Sequence, residues 1–173
     1  KLIFATHADQ ALSLIKNPNK KEIDILSSFK YSQNDAYLHT DKRLMPENRS
    51  VWSSWNFIEN RSNNKKFTLT YWMNLLQNLQ TEKNYFVTIN PDLKPSGILD
   101  KTTFEHPIFS NKMIEAQQKI PSIQGNLNTF FCGSYLGYGF HEDGIQSAAY
   151  VASLLKVKLP WVREKNFYNR LQI

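Results

Sequence analysis

Thr129-Phe130-Phe131-Cys132-Gly133-Ser134-Tyr135-Leu136-Gly137-Tyr138-Gly139-Phe140-His141-Glu142-Asp143-Gly144-Ile145-Gln146-Ser147-Ala148 is the stretch on which the reading turns. Thr129 to Cys132 has the composition of a buried strand, and it runs into Gly133, Gly137 and Gly139. The acidic pair Glu142-Asp143 and Gly144 follow, and a helix is expected from Ile145 to Leu155. Glycine lets a backbone approach a ligand because no Cβ intervenes. The first turn of a helix offers free N–H groups and a partial positive charge, which suits an electron-rich ring edge or a phosphate. Ser147, Ala148, Ala149 and Ala152 would keep one helix face thin. The same spacing also describes a plain strand–loop–helix connection with turn glycines, and spacing alone leaves both readings open.

Toward the N-terminus, Leu2 to Ala5 is a short apolar run that suits a buried, parallel strand. Asp9 is a candidate cap for the helix that follows, with Ala11, Leu12, Leu14 and Ile15 as its apolar stripe and Asn17-Pro18-Asn19 as its stop. Glu22 to Phe29 fits a second short helix. The chain opens Lys1-Leu2-Ile3-Phe4-Ala5-Thr6, without Met and without the pattern of a signal peptide, so a piece of a longer protein is expected.

The middle changes character. Residues 36–40, 51–57 and 67–72 are rich in aromatic and β-branched residues and read as strands, the last two joined by a hairpin loop at Arg61-Ser62-Asn63-Asn64-Lys65. Met73 to Leu79 suits a short helix, and Tyr85 to Ile89 and Leu99 to His106 suit strands stopped by Pro91 and Pro107. Asn111 to Ile120 returns to helix.

Charged residues make up 21% and the net charge is +6, but the basic residues are scattered, so neither a nucleic-acid-binding stripe nor a nucleic-acid-binding module is indicated. No apolar run is long enough for a transmembrane helix. The single cysteine, Cys132, excludes an internal disulfide and suits a buried thiol in a reducing compartment, so a cytoplasmic location is expected. The four histidines, His7, His39, His106 and His141, lack metal-ligand spacing, and no nucleophile-elbow motif occurs.

Phe130-Phe131-Cys132-Gly133-Ser134, followed by Asp143-Gly144-Ile145-Gln146-Ser147-Ala148, resembles the C-terminal flavin motif of the amine-oxidase/phytoene-desaturase superfamily. The resemblance implies FAD as cofactor. It implies that Gly133, with Ser134 beside it, approaches the ribityl or pyrophosphate part, and that Asp143, Gly144 and Ile145 lie at the isoalloxazine edge. Ser134 stands where many members carry an acidic residue, and Ala148 or Ala149 where many carry glycine. Further words in order also resemble a predicted NAD/FAD-binding oxidoreductase subfamily associated with cyclopropane-fatty-acid synthases. They are Leu38-His39-Thr40-Asp41, Leu44-Met45-Pro46, Trp52-Ser53-Ser54-Trp55-Asn56, Thr70-Tyr71-Trp72-Met73-Asn74, Glu105-His106-Pro107 and residues 137–144. That resemblance implies a flavoprotein acting on or near acyl chains, with Leu2 to Thr6 as the strand returning to the FAD domain. The dinucleotide fingerprint GxGxxG is absent from these residues.

Single residues carry paired readings. His141 is the candidate for tuning flavin charge or moving a proton, or else it orients its loop. His39 and Asp41 suit a proton relay or a structural hydrogen bond. Trp52 and Trp55 fall on opposite strand faces, so Trp52, Trp55, Tyr71 and Trp72 cannot all line one pocket; one face is core and the other a layer interface or the roof of an apolar cavity. A covalent flavin link at Cys132 is not supported.

The expectation is therefore an α+β fold: a mixed, mostly antiparallel substrate-domain sheet with flanking helices, plus a remnant of an FAD-binding α/β domain. The expected parts are 1–17 (strand and helix of the FAD domain), 18–124 (substrate region) and 125–173 (return strand and flavin-contacting helix). The expected activity is hydride or electron transfer between FAD and an apolar, fatty-acyl or isoprenoid-like substrate. The alternative is a non-catalytic lipid- or protein-binding module.

Overall fold

A computed structural model describes residues 1–59, 67–161, 170, 171 and 173. The expected hairpin loop at 61–65 lies outside the described residues. The chain divides into two compact units: Lys1–Ser32 with Pro107–Ile173, and Gln33–His106. The fold is α+β, with a small parallel sheet in the first unit and a larger, mainly antiparallel one in the second.

In the first unit, β1 (Leu2–Phe4) and β7 (Thr129–Phe131) pair in parallel, Ile3 opposite Phe130. The two end strands thus lie side by side as the apolar runs suggested, but β1 is not the buried strand expected: Leu2 and Ile3 are exposed and only Phe4 is buried. β7 is buried on both faces. Phe131 stacks on Phe4 with ring centroids 5.6 Å apart and joins a core with Ala11, Leu26, Phe29, Met113 and Ile120. Phe130 and Cys132 point the other way, onto Val151. Alternation across the pleat explains how a continuous apolar run is used.

The helices of this unit are α1 (Ala8–Leu14), α2 (Lys20–Leu26), α4 (Asn111–Lys119) and α5 (His141–Leu154). Asp9 is not the cap of α1. His7 holds that position, its amide donating to the Gln10 side chain, and Asp9 sits inside the first turn. Asn19 opens α2 in a reciprocal pair with Glu22: Asn19 Oδ1 accepts the Glu22 amide at 3.0 Å, and Glu22 Oε2 accepts the Asn19 amide at 2.8 Å. α5 begins at His141, four residues before the sequence expectation. The reason is Asp143: from the third helical position its carboxylate accepts the Phe140 amide at 2.8 Å and fixes the helix start there.

The second unit is a sheet of order β3-β4-β5-β2-β6. The strands are β2 (Lys30–His39), β3 (Trp55–Glu59), β4 (Phe67–Trp72), β5 (Phe86–Ile89) and β6 (Ile98–Ile108). β3/β4, β4/β5 and β2/β5 are antiparallel. The helix after β4 is the single turn α3 (Met73–Leu76), shorter than expected. Residues 51–54 are not strand. A 3₁₀ turn at Arg49–Val51 is fixed by Asn48, and the Asn56 side chain ties Ser53 through its amide and carbonyl at 3.1 and 2.7 Å. Nor does Pro107 stop β6, which is an edge strand where a missing N–H breaks no ladder.

One face of the sheet buries mostly polar side chains around Phe86, and the other leaves apolar side chains open. The register aligns Trp55, Tyr71, Val87 and Leu38 in one row and Phe57, Leu69, Ile89 and Ala36 in the next, all on one face. That face is open: Trp55 is 56% and Phe57 63% exposed. The opposite face buries His39, Asn56, Thr68, Thr70 and Thr88. The aromatic set divides between faces, but parity separates only Tyr71 from Trp72; Trp52 lies before β3, outside any strand. Trp55 packs edge-on against Tyr71 at 5.0 Å on the open face, while Trp52 packs against Trp72 and Phe86 at 5.3 and 5.8 Å.

Candidate functional site

β7 delivers the chain into the glycine loop. Gln124 fixes the strand first: its side chain accepts the Phe131 amide at 2.8 Å and donates to the Phe131 carbonyl at 2.7 Å. The loop then turns through a 3₁₀ segment at Ser134–Leu136 and enters α5 behind Phe140. Buried Gln117, on α4, donates from one nitrogen to the carbonyls of Tyr135 and Gly137 at 2.7 and 2.8 Å. Asp143 closes the loop from the other side. Its Oδ2 accepts the amides of Tyr138 and Phe140 at 3.0 and 2.8 Å, and its Oδ1 accepts Arg170 Nε at 2.8 Å. A Cβ at Gly137 would lie 2.7 Å from the Asp143 carboxyl carbon, so this position has room only for glycine.

The structure gathers three of the five expected contact residues. The Gly133 amide donates to Ser147 Oγ at 2.9 Å, and that hydroxyl donates to the Gly144 carbonyl at 2.8 Å. A Cβ built on Gly144 would meet only the Ser134 amide nitrogen, at 3.9 Å. Gly133, Ser134 and Gly144 therefore share one surface, at the C-terminal end of the parallel pair. The other two diverge: the Asp143 side chain is fully buried, and Ile145 is exposed. The Gly144 amide is taken by the Phe140 carbonyl at 3.2 Å, so the open amides at the head of α5 belong to the turn before it, where exposed His141 sits. The small residues do not form one thin buried face: Ser147 and Ala149 are buried, Ala148 is exposed.

Arg170 completes the loop. Its amide donates to Gln146 Oε1 at 3.1 Å, and its guanidinium lies over the rings of Tyr138 and Phe140, 5.8 and 5.6 Å from their centroids. Gln117 and Arg170 are site-forming residues without a local sequence signal, since their partners lie 20 and 27 positions away; Ser147 lies within the motif, but its bond to Gly133 spans 14 positions.

Elsewhere, the His39–Asp41 pair is structural. The Asp41 amide donates to His39 Nδ1 at 3.0 Å, so the ring proton is on Nε2, which donates to Thr88 Oγ1 at 2.8 Å; Thr88 in turn meets Thr70 at 2.9 Å. The Asp41 carboxylate is engaged by Arg43 and Ser96 instead, and the Arg43 guanidinium holds it well below the usual carboxylate range. Burial pushes the Cys132 thiol up. On the open sheet face, Ala36, Leu38, Val87, Asp100, Thr102 and Phe104 line a cavity of about 150 Å³. Among the described residues no cluster of three or more His, Cys, Asp or Glu side chains suits a metal, and no helix is long and apolar enough to cross a membrane.

No protein-family model and no curated protein matches the chain. Among solved structures it is similar to a CLA-producing fatty acid isomerase from P. acnes, with 13% identity and a TM-score of 0.55. The match covers 90% of this chain and 40% of that one, so the chain spans less than half the length of the isomerase. At this identity the likeness concerns the fold.

Proposed function

We propose that this chain is the C-terminal part of an FAD-dependent oxidoreductase acting on an apolar, fatty-acyl substrate. The observation that carries the reading is the convergence of Gly133, Ser134 and Gly144 on one surface at the C-terminal end of β1 and β7. Ligands of open α/β sheets bind beyond the carboxyl ends of the strands.

The residues fit an isoalloxazine on two grounds. A Cβ on Gly144 would touch only the Ser134 backbone amide, at 3.9 Å, so this surface is made of backbone rather than side chain and permits close approach. The head of α5 supplies amides and the positive end of a 14-residue helix dipole. FAD, when bound, would supply hydride or electron transfer. This chain's residues would hold and orient it: Gly133 and Ser134 by close backbone approach, the first turn of α5 by its field. Gln117, Asp143 and Ser147 would keep the loop in shape. Exposed His141 is the candidate for proton transfer beside the ring.

The open sheet face supports the substrate class. Trp55, Tyr71, Leu38, Val87 and Phe104 offer rings and branched chains to a partner that itself lacks polar groups. The fatty acid isomerase whose fold this chain shares points the same way. The same face also favours the alternative of a non-catalytic lipid-binding module. Purification of the full-length protein separates the two: an oxidoreductase carries yellow flavin bands that bleach under anaerobic reductant. A colourless product that still binds fatty acid would select the module.

A further inference from the structure

We infer that Arg170 is a positioning residue that offsets the buried carboxylate at the head of α5 and so favours the negative charge of the reduced cofactor, an inference resting on the FAD reading above. Asp143 poses an electrostatic problem. Its carboxylate is fully buried and sits in the first turn of α5, directly behind the amides that would face the ring. Uncompensated, a full negative charge there would more than cancel a helix dipole equivalent to about half a charge.

The loop needs that carboxylate, because it accepts the amides of Tyr138 and Phe140 and so sets where the helix begins. Arg170 resolves the conflict. Its Nε is 2.8 Å from Asp143 Oδ1, and its guanidinium is held over the two rings that flank the helix start. Its own backbone amide is tied to α5 through Gln146. The arginine is 37% exposed, so it offsets the buried charge from the solvent side; the other carboxylate of that turn, Glu142, is exposed, screened by solvent and accepts a hydrogen bond from Gln146 Nε2 at 3.1 Å. Arginine suits this task because its guanidinium stays protonated and stacks on aromatic faces.

The test is the flavin reduction potential of the full-length holoprotein, measured by dye equilibration. Arg170→Gln should lower it by about 30 mV or more, a tenfold change in a two-electron equilibrium. Arg170→Lys, which keeps the charge, should stay near the wild-type value. Asp143→Asn removes the opposing charge and should shift the potential upward, and it decides the matter if Arg170→Gln does not fold. A flavin-loaded Arg170→Gln protein with the wild-type potential, or an Asp143→Asn protein shifted downward, overturns the inference. A colourless wild-type protein would instead remove the FAD reading, and this role with it.

Discussion

The hydroxyl of Ser147 receives the amide of Gly133 across the mouth of the loop, at 2.9 Å. One small side chain thus ties the end of the parallel strand pair to the body of α5. Ser147 is completely buried, and its removal leaves the Gly133 N–H and the Gly144 carbonyl short of a partner. Ser147→Ala should cost about 1–3 kcal/mol, the penalty of an orphaned buried polar group. Urea denaturation checks this; an unchanged midpoint would show that water replaces the hydroxyl at no cost.

Gly137 and Gly144 should respond oppositely to alanine. At Gly137 the new methyl meets the Asp143 carboxyl carbon at 2.7 Å, an overpacking worth about 1–3 kcal/mol. At Gly144 the methyl meets only the Ser134 amide at 3.9 Å, and alanine favours a helix interior by roughly 0.5–1 kcal/mol. Gly144→Ala should therefore raise the melting temperature while lowering flavin retention in the full-length protein. Equal flavin content in wild type and Gly144→Ala would detach Gly144 from the cofactor.

His39 should give the second unit a mild acid sensitivity. Burial depresses its pKa below the ordinary histidine value, an effect only partly opposed by Asp41. The unfolded chain then binds the proton more readily than the folded one, so stability rises with pH. The contribution is complete above about pH 6.5 and is lost as pH falls from there through the lower folded value. Protonation of Nδ1 would also break its bond from the Asp41 amide. Denaturation midpoints at pH 7 and pH 5 should differ less in His39→Gln than in wild type; an identical pH dependence refutes the assignment.

Trp55 should report on acyl binding. It stands more than half exposed on the open sheet face, edge-on to Tyr71. A long-chain fatty acid laid on that face should shift tryptophan emission to shorter wavelength, and Trp55→Phe should remove most of the shift. Leu38→Gln, in the cavity wall, should weaken the same titration. A shift that survives in both variants would place the ligand elsewhere.

Much of the framework was legible because it follows short-range rules. The apolar runs at 2–5 and 129–132 announced the strand pair; the division of Trp52 from Trp55 came out as expected but not for the reason of strand parity, since Trp52 precedes β3. The sheet's orientation was not legible. Alternation normally sends Thr68, Thr70, Thr88 and His39 to solvent and Trp55, Phe57 and Leu69 inward, and here the burial is reversed. The polar side chains can be buried because they satisfy one another, as His39, Thr88 and Thr70 do. The start of α5 was misread because its determinant is the Asp143 side chain reaching back to Phe140. Gln117 and Arg170 reach the loop from other segments, and no local pattern announces such contacts.

The Gln124 side chain, finally, imitates a neighbouring peptide group for β7. By occupying both the amide and the carbonyl of Phe131 on the edge turned away from β1, it blunts that edge against any incoming strand. Growth of this sheet is thereby polarised toward β1, whose other edge pairs with no strand among the described residues and whose Leu2 and Ile3 are exposed.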